Sequence, residues 1–417
     1  MRESRVYCAP VTFDVAAIRR EFPLLASSKA LAYLDSAATS QKPVSVLDAM
    51  DRYERTINSN VHRAMYPLAE EATNAYEGAR MTVQKFIGAT HVDEIVVTKN
   101  STEALNLVAH GWGVRHMKEK DAVLLTLLEH HSNIVPWLQL KERRGIDVRW
   151  VGIDAEGHID MKTVKKELAK GDVKMVSVTG LSNVLGARPD IAAVTKEAHA
   201  HDAAVCIDAA QLAAHHPIDV TEIDCDFLAF SGHKLYGPTG IGILYGKREC
   251  LREMDPMMGG GMMIQEVRTD GFTPADPPSR FEAGTPPITE AIGLAAALDW
   301  MKKVGWKALI AHEEKLLAHA QESLENIGGL TILGPKKSGD RSGCLSFVLD
   351  GVHAHDLTHA LGEKGLCLRA GHQCAQPLHR HLGIPASTRL SVAAYNTMEE
   401  IDRLAPAIRA VQSKLQK

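Results

Sequence analysis

The sequence has no long apolar run, no surplus of positive charge and no closely spaced pair of cysteines. No stretch reaches the roughly 18 apolar residues of a membrane helix, and the opening MRESRVYCAPVTFDV lacks the apolar core of a secretory signal. A net charge of -4 provides no basic surplus for phosphate backbones or anionic lipid. We therefore expect a cytoplasmic protein that binds neither nucleic acid nor a membrane.

The seven cysteines are odd in number and widely scattered, with no C-x-x-C pair among them. Such spacing is not typical of a disulfide framework or of a clustered metal site. We interpret them as reduced thiols and predict no metal centre. They are Cys8, Cys206, Cys225, Cys250, Cys344, Cys367 and Cys374.

Short β-branched runs alternate with longer amphipathic stretches between residues 94 and 246. The runs are EIVVT, AVLLTLL, DVRWVGI, VKMVSVTG, AAVCIDAA, DFLAF and IGILYG. The alternation predicts an α/β fold with a mostly parallel, seven-stranded sheet and helices on both faces. Because ligands bind beyond the carboxyl ends of such strands, we expect the functional residues in the turns that follow them.

The pattern changes after a passage rich in glycine, methionine and proline, MDPMMGGGMMIQ followed by TPADPPS. Helical stretches then dominate, with isolated strands such as CLSFVLD. We predict a large α/β domain over residues 31–295 and a small α+β domain formed by residues 1–30 and 296–417. The helical spacing of FDVAAIRREFPLL is the reason for assigning the N-terminal segment to the small domain.

Lys234 lies in the turn SGHK between two apolar strands. A charged lysine is expensive to bury there unless it has a chemical role, and a Schiff base with an aldehyde cofactor such as pyridoxal phosphate is one such role. The alternative is a loop lysine that extends its charge to solvent.

Neighbouring turns favour the cofactor role. Asp208 ends the strand AAVCID and can pair with a protonated pyridine nitrogen, while Gln211 follows three residues later. In KNSTEALN, Thr102 begins a helix whose amides can bind a phosphate. In LEHHSN, His131 can stack on the pyridine ring. For Asp208 and Thr102 the alternative is helix capping. For the paired histidines it is a metal site, although no third ligand at a recognised spacing lies nearby.

The ordered motifs STEALN, EHHSNIVPW, LSNVLG, IDAAQ, SGHKLYGPTGIGILYG and RFEAGTP resemble the class V aminotransferase family, and within it the SUF-type, group II cysteine desulfurases. The similarity extends from YLDSAATSQKP near residue 33 to YNT at residue 395. It implies a fold-type I, pyridoxal-phosphate-dependent transferase that converts L-cysteine to L-alanine for iron-sulfur cluster assembly.

The resemblance also implies roles for individual residues around the cofactor. Lys234 would form the Schiff base, with His131 stacked on the ring, Asp208 at its nitrogen and Gln211 at its phenolic oxygen. The phosphate would contact Thr102, Ser231 and His233 of the same subunit and Thr285 of the other. A homodimer with shared active sites is therefore expected.

Cys374, in CLRAGHQCAQPL, is the thiol in the most plausible reactive setting, close to His372 and Arg369. Positive charge favours the thiolate, which is the form that attacks a substrate sulfur. A competing interpretation joins Cys374 with His372, His379 and His381 as metal ligands, but the spacing matches no strong zinc pattern. The loop resembles the short persulfide-forming loop of group II enzymes, which implies a SufE-like or SufU-like sulfur acceptor.

Four further residues are predicted to contact the substrate. The resemblance implies that Arg389, in TRLSV, binds its carboxylate, a role that suits a guanidinium fork. Asn183 in LSNVLG, Arg369 and His62 would complete the substrate site. A surface ion pair for Arg389, and a capping or core role for His62, are the alternatives.

Other functions remain open at this level. Selenocysteine lyase activity would use the same fold and the same cysteine. An aminotransferase or decarboxylase would have no need of Cys374. A non-catalytic scaffold for iron-sulfur assembly would carry no cofactor on Lys234.

Overall fold

The structure is a computed structural model that describes residues 13–28, 30–63 and 65–415. Its strands within these residues form one large sheet, one small sheet and two isolated pairs. The strands are β1 (Ala32–Tyr33), β2 (Ile95–Thr98), β3 (Ala122–Thr126), β4 (Asp147–Val151), β5 (Val173–Thr179), β6 (Ala204–Asp208), β7 (Phe227–Ser231), β8 (Gly242–Gly246), β9 (Ile264–Arg268), β10 (Gly271–Pro274), β11 (Leu330–Leu333), β12 (Cys344–Leu349), β13 (Leu366–Cys367), β14 (Arg369–Gly371) and β15 (Ser387–Ser391).

The large sheet has seven strands in the order β2-β8-β7-β6-β5-β3-β4. Neighbours pair in parallel except at β8, which runs antiparallel to both β2 and β7. Each strand coincides with one of the seven β-branched runs. The predicted sheet is therefore confirmed.

Alternate side chains of the central strands enter two different cores, one on each face of the sheet. In β7, Leu228 and Phe230 belong to one core, whereas Phe227 and Ala229 belong to the other. All four are fully buried. Burial on both faces explains why these strands have continuous apolar sequences.

Helices cover both faces of this sheet and surround the small one. In α7, for example, Pro136 occupies the first turn and Gly145 ends the helix in a left-handed conformation. The helices are α1 (Val15–Arg20), α2 (Pro23–Ser27), α3 (Val44–Thr56), α4 (Pro67–Phe86), α5 (Ser101–Leu107), α6 (Val114–His116), α7 (Val135–Arg144), α8 (Met161–Leu168), α9 (Ile191–His199), α10 (Leu212–His215), α11 (Val220–Ile223), α12 (Arg248–Glu253), α13 (Ile288–Val304), α14 (Trp306–Glu325), α15 (Ala354–Gly362), α16 (Gln376–His381), α17 (Met398–Asp402) and α18 (Leu404–Leu415).

The C-terminal part of the chain builds the small antiparallel sheet, in the order β11-β12-β15-β14, over its own apolar core. The proposed boundary at residue 295 falls within α13, a continuous helix that packs on α3 and α4. Near the N-terminus, Phe22 packs against Trp300 and Tyr395, with ring centroids 5.4 and 4.8 Å away. The exact division into domains stays a prediction, and residues 1–12 of the predicted small domain lie outside the described residues.

The passage rich in glycine, methionine and proline contains a hairpin that the sequence analysis did not anticipate. Its strands β9 and β10 pair antiparallel, with Phe272 opposite Val267. Both of these side chains are exposed.

Candidate active site

A cavity of about 500 Å³ lies at the carboxyl ends of the large sheet's strands and extends to the small sheet. Most of the predicted site residues line it, although their sequence positions are far apart. They are Thr102, Asn183, Asp208, Gln211, Ser231, His233, Lys234, Arg369, Cys374 and Arg389.

Lys234 ends a short 3-10 turn that begins directly after β7. The turn depends on Gly232, because a Cβ there would lie 2.7 Å from the Ile241 Cγ2 atom and 3.1 Å from the Pro238 carbonyl oxygen. Burial lowers the pKa of Lys234, and the charge of Asp208 partly offsets that effect. The lysine is thus a buried amine that lines the same cavity as the Asp208 carboxylate.

Asp208 is the last residue of β6 and is only 4% exposed. Its Oδ1 atom accepts a hydrogen bond of 2.9 Å from the Ala210 amide. Burial raises the pKa of Asp208, whereas the positive charge of Lys234 lowers it. Gln211 donates to the Ala37 carbonyl oxygen at 2.8 Å, which fixes the orientation of its amide group.

Hydroxyl groups from three turns meet at one end of the cavity. Ser231 Oγ accepts from the Ser101 amide at 2.8 Å, and Thr102 Oγ1 lies 2.7 Å from Ser132 Oγ. His233 lines the same region, and its pKa is lowered to about 4 by burial and by nearby Lys234. These hydroxyl and amide groups are the donors that a phosphate ester requires.

His130, rather than the predicted His131, lines the cavity. Burial, followed by the charge of Lys234, lowers the pKa of His130 to about 3. Its Nδ1 atom accepts from the Ser132 amide at 3.1 Å, so the proton of the neutral ring is on Nε2. The ring of His131 instead accepts from the Gln376 amide at 3.1 Å, outside the lining residues. Because the two histidines are adjacent in the sequence, no pattern of spacing could show which ring enters the cavity.

Glu129 is a second residue that the sequence analysis missed. It is 1% exposed and accepts hydrogen bonds from Thr126 Oγ1, Asn133 Nδ2 and the Thr179 amide, at 2.6, 2.7 and 3.1 Å. Burial raises its pKa to about 8. Because Thr179 lines the cavity and is in register with Asp208, Glu129 supports the cavity wall from behind.

Two arginines share one carboxylate at the other end of the cavity. Arg389 donates to Asp35 Oδ1 at 3.1 Å and to the Asn183 carbonyl oxygen at 3.0 Å. Arg369 contacts both oxygens of Asp35, the shorter contact being 2.7 Å. Asp35 and Arg369 are 334 positions apart in the sequence, so no local motif could have indicated the contact.

Cys374 is exposed and lies in a strained turn. Gln373 and Cys374 adopt positive φ angles of 51° and 57°, which non-glycine residues rarely do. Asn183 Nδ2 donates to the Gln373 carbonyl oxygen at 2.7 Å, and the His131 amide donates to that of Cys374 at 2.7 Å. These contacts hold the thiol-bearing loop against the cavity.

The remaining cysteines of the described residues are less accessible. Cys206, Cys225 and Cys344 are buried, and burial raises the pKa of each. Cys250 and Cys367 are partly buried, and burial raises the pKa of these thiols as well. Cys8 lies outside the described residues.

Besides His131, two predicted site residues are not brought to the cavity of this single chain. His62 Nε2 lies 2.9 Å from Glu77 Oε1, and its ring contacts Tyr76 edge-on. Thr285 is exposed and is not among the lining residues. Its predicted contact with a second subunit stays a prediction.

Two of the histidines near Cys374 have hydrogen-bonding partners in the protein. His379 lies 3.0 Å from Ser387 Oγ, and His381 lies 3.2 Å from the Ile153 carbonyl oxygen. Over residues 13–28, 30–63 and 65–415, no group of three or more histidine, cysteine or acidic side chains is arranged to hold a metal ion. Within the same ranges, none of the helices has both the length and the apolar character needed to cross a membrane.

The fold and the cavity define a class, the fold-type I pyridoxal-phosphate-dependent transferases. The chain belongs to the class-V aminotransferase family, whose model matches residues 32–404.

Curated relatives and a solved structure resemble the chain over nearly its whole length. It is 43% identical to a probable cysteine desulfurase of Streptomyces coelicolor, covering 97% of this chain and 98% of that protein. It is 45% identical to a cysteine desulfurase of Haloferax volcanii, covering 96% and 97% respectively. The crystal structure of cysteine desulfurase CsdA from Escherichia coli, in an S-sulfonic acid form, has a TM-score of 0.90 at 38% identity and covers 97% of this chain and 100% of that one. These similarities confirm the predicted family, the fold type and the dependence on pyridoxal phosphate.

Proposed function

We propose that this chain is a cysteine desulfurase that moves the sulfur of L-cysteine onto Cys374 and releases L-alanine. One observation carries the proposal: a buried lysine, Lys234, and an exposed cysteine, Cys374, line the same cavity although they are far apart in the sequence. An aminotransferase or a decarboxylase would have no need of the cysteine. The names of the curated relatives support the same activity.

The cavity fits pyridoxal phosphate. Lys234 is available for a Schiff base, Asp208 for the ring nitrogen, and Thr102, Ser231 and His233 for the phosphate. A buried carboxylate with a single amide donor, as Asp208 has, is suited to a cationic partner. When bound, the cofactor supplies an electron-withdrawing ring that stabilises the charge left on the substrate Cα after proton removal.

His130 is the residue that we propose to stack on the cofactor ring, in place of His131. It lines the cavity and is close enough to Lys234 for the lysine charge to affect its pKa. The Ser132 amide fixes its tautomer, so Nε2 is left as a hydrogen-bond donor.

Lys234 is the proposed base. Burial lowers the pKa of its amine, which increases the unprotonated fraction at neutral pH. The unprotonated Lys234 Nζ atom would accept the proton from the substrate Cα. Asp208, at the end of the neighbouring strand, has the opposite charge. Its carboxylate stabilises the positive charge that Lys234 carries after it has accepted the proton.

Arg389 is the proposed partner of the substrate carboxylate. Its side chain is 3% exposed, and its Nε atom has no hydrogen-bond partner among the described residues. The Asn183 carbonyl oxygen and Asp35 hold the other two nitrogens of the guanidinium group. These contacts hold the guanidinium group in the cavity wall, where its positive charge can attract a carboxylate.

Cys374 completes the reaction as the nucleophile. Its thiolate sulfur attacks the substrate sulfur, so a new S–S bond forms while the Cβ–S bond breaks. The electron pair of that bond stays with the substrate, Cβ takes up a proton to become the methyl group, and Cα regains the proton held on Lys234 Nζ. The products are alanine and a persulfide on Cys374.

The finer assignments are part of the same proposal. The short cysteine loop supports group II, SUF-type membership and a SufE-like or SufU-like acceptor, with iron-sulfur assembly as the purpose. Thr285, exposed on this chain, is proposed to reach the phosphate site of a second subunit in a homodimer. The unpaired cysteines of the described residues support a cytoplasmic location.

The test is an absorption spectrum after reconstitution with pyridoxal phosphate, followed by an assay of alanine and sulfide with L-cysteine and a reductant. We expect a cofactor band that Lys234→Ala abolishes, with alanine and sulfide released in equal amounts. Cys374→Ala should keep the band and lose turnover, while Cys367→Ala, outside the lining residues, should keep both. No band, or full turnover in Cys374→Ala, would contradict the proposal.

A further inference from the structure

Arg80 and Glu282 form an ion pair that is almost entirely removed from solvent. Their side chains are 3% and 10% exposed, and the guanidinium group donates to both carboxylate oxygens, at 2.6 and 2.9 Å. Two parallel hydrogen bonds of this kind fix the orientation of both groups. The pair joins α4 to the motif RFEAGTP, two segments that lie 202 positions apart at these residues.

The same two side chains cover one edge of the large sheet. Strand β2 is the last strand at that edge and pairs with β8 on its other side. Glu282 Oε1 accepts from the Val97 amide at 2.7 Å, and Arg80 Nη1 donates to the Ile95 carbonyl oxygen at 2.7 Å. Because an edge strand presents peptide groups without a ladder partner, these contacts replace those of a further strand. Glu282 is therefore held by the sheet as well as by Arg80.

Thr285 lies three residues beyond Glu282, in a short segment that is fixed on both sides. Before it, Gly284 has a φ angle of 88°, and its amide donates to the Gly261 carbonyl oxygen at 2.9 Å. After it, two prolines follow directly, and α13 begins at Ile288. Since proline restricts φ to a narrow range, the backbone of Thr285 has little freedom once Glu282 is held.

We propose that Glu282 is a positioning residue for Thr285, and that its ion pair with Arg80 holds the threonine hydroxyl where it meets the cofactor phosphate of a second subunit. The inference rests on the proposed function for that contact between Thr285 and the phosphate. Glu282 is directed toward Arg80 and β2 and is not among the residues that line the cavity, so it acts through Thr285. A hydroxyl donor needs about 2.5–3.0 Å to its acceptor, so a displacement of about 1 Å breaks the contact.

The experiment compares pyridoxal phosphate with pyridoxal, which has the same ring and aldehyde but no phosphate. Their dissociation constants are measured on the full-length protein, freed of cofactor, from the change in absorption. Glu282→Gln keeps the size of the side chain but turns an NH2 group toward Arg80 in place of an oxygen. It should raise the dissociation constant of pyridoxal phosphate about tenfold and that of pyridoxal less than about twofold.

Two further variants show whether Glu282 acts through Thr285. Thr285→Ala should also weaken pyridoxal phosphate about tenfold and leave pyridoxal unchanged. The double variant Glu282→Gln, Thr285→Ala should then bind pyridoxal phosphate within about twofold of Thr285→Ala alone, because the two changes remove one contact. Glu77→Gln is the matched control, since Glu77 pairs with the same arginine at 3.1 Å but is half-exposed and lies outside the motif. It should change neither dissociation constant by more than about twofold.

The inference is overturned if Glu282→Gln weakens pyridoxal phosphate and pyridoxal equally, which is the result of a merely structural role, or if the effects in the double variant add. Should Glu282→Gln fail to fold, Arg80→Lys is the second test. It keeps the charge but not the fork of two hydrogen bonds, so it should weaken pyridoxal phosphate selectively, and unchanged binding would overturn the inference.

The outcomes separate this inference from the proposed function. If Thr285→Ala leaves the binding of pyridoxal phosphate unchanged, the proposed phosphate contact is contradicted and the inference is overturned with it. If Thr285→Ala weakens that binding and Glu282→Gln does not, the inference alone is overturned. None of these dissociation constants depends on sulfur transfer, so a failure to make alanine from cysteine would contradict the desulfurase proposal and leave the comparison of the two ligands decisive.

Discussion

Glu129→Gln tests whether a buried, protonated carboxyl supports the wall of the cavity. Glutamine keeps an oxygen for Thr126 and the Thr179 amide but replaces the oxygen that accepts from Asn133 with an NH2 group. Asn133 cannot offer its own oxygen freely, because Ser177 already donates to it at 2.5 Å. A lost hydrogen bond with a buried, unsatisfied donor costs about 1–3 kcal/mol.

The raised pKa of Glu129 determines how the stability difference between Glu129→Gln and wild type changes with pH. The pKa of Glu129 is raised by burial from an ordinary 4.5 to about 8 in the folded protein. Its contribution to stability is therefore fully present below about pH 4.5 and is lost as the pH rises through about 8, with ~5 kcal/mol as the upper limit. Glutamine has no such titration. The variant should be less stable than wild type near about pH 5, and the difference should shrink or reverse near about pH 8.5.

Equilibrium unfolding in urea, carried out on both proteins at the two pH values, measures how the stability difference between variant and wild type changes with pH. Other buried acids whose pKa is raised, such as Asp208 and Glu313, titrate in both proteins and cancel. Glu70→Gln makes the same chemical change on an exposed side chain and should shift stability by less than about 0.5 kcal/mol at either pH. An equal stability loss for Glu129→Gln at both pH values would refute the reasoning.

Three further predictions concern the cavity. His130→Asn should raise the dissociation constant of pyridoxal phosphate about tenfold, whereas His131→Asn should change it less than about threefold; the reverse order would contradict the assignment. Gly232→Ala places a Cβ 2.7 Å from a buried isoleucine methyl group. It should therefore destabilise the protein by about 1–3 kcal/mol and weaken cofactor binding. An unchanged thermal midpoint would contradict the tight packing of this turn. Iodoacetamide should modify Cys374 in the native protein and Cys206 only after unfolding, as peptide mass spectrometry can show; native modification of Cys206 would contradict its burial.

The large sheet could be predicted because its strands are buried on both faces and their apolar runs are continuous, as in β5 and β7. The hairpin β9–β10 could not. Its strands expose Val267 and Phe272, and its surroundings are rich in glycine and proline, so neither burial nor alternation marks it as a strand pair.

The site was predictable where local motifs identify a turn, as for Lys234, Asp208 and Cys374. It was not predictable where the arrangement depends on distant parts of the chain. Asp35 meets two arginines of the small sheet only after folding, and nothing in its local sequence indicates that contact. The choice between His130 and its neighbour depends on which ring the 3-10 turn directs toward the cavity.

The central claim is that the sulfur of cysteine is transferred to Cys374. The most direct measurement is peptide mass spectrometry of the cofactor-loaded protein after brief exposure to L-cysteine without reductant. The account predicts a mass increase of one sulfur atom on the peptide that contains Cys374, accompanied by one equivalent of alanine, and neither change in Lys234→Ala. Alanine formation with the added sulfur on another cysteine, or on none, would contradict it.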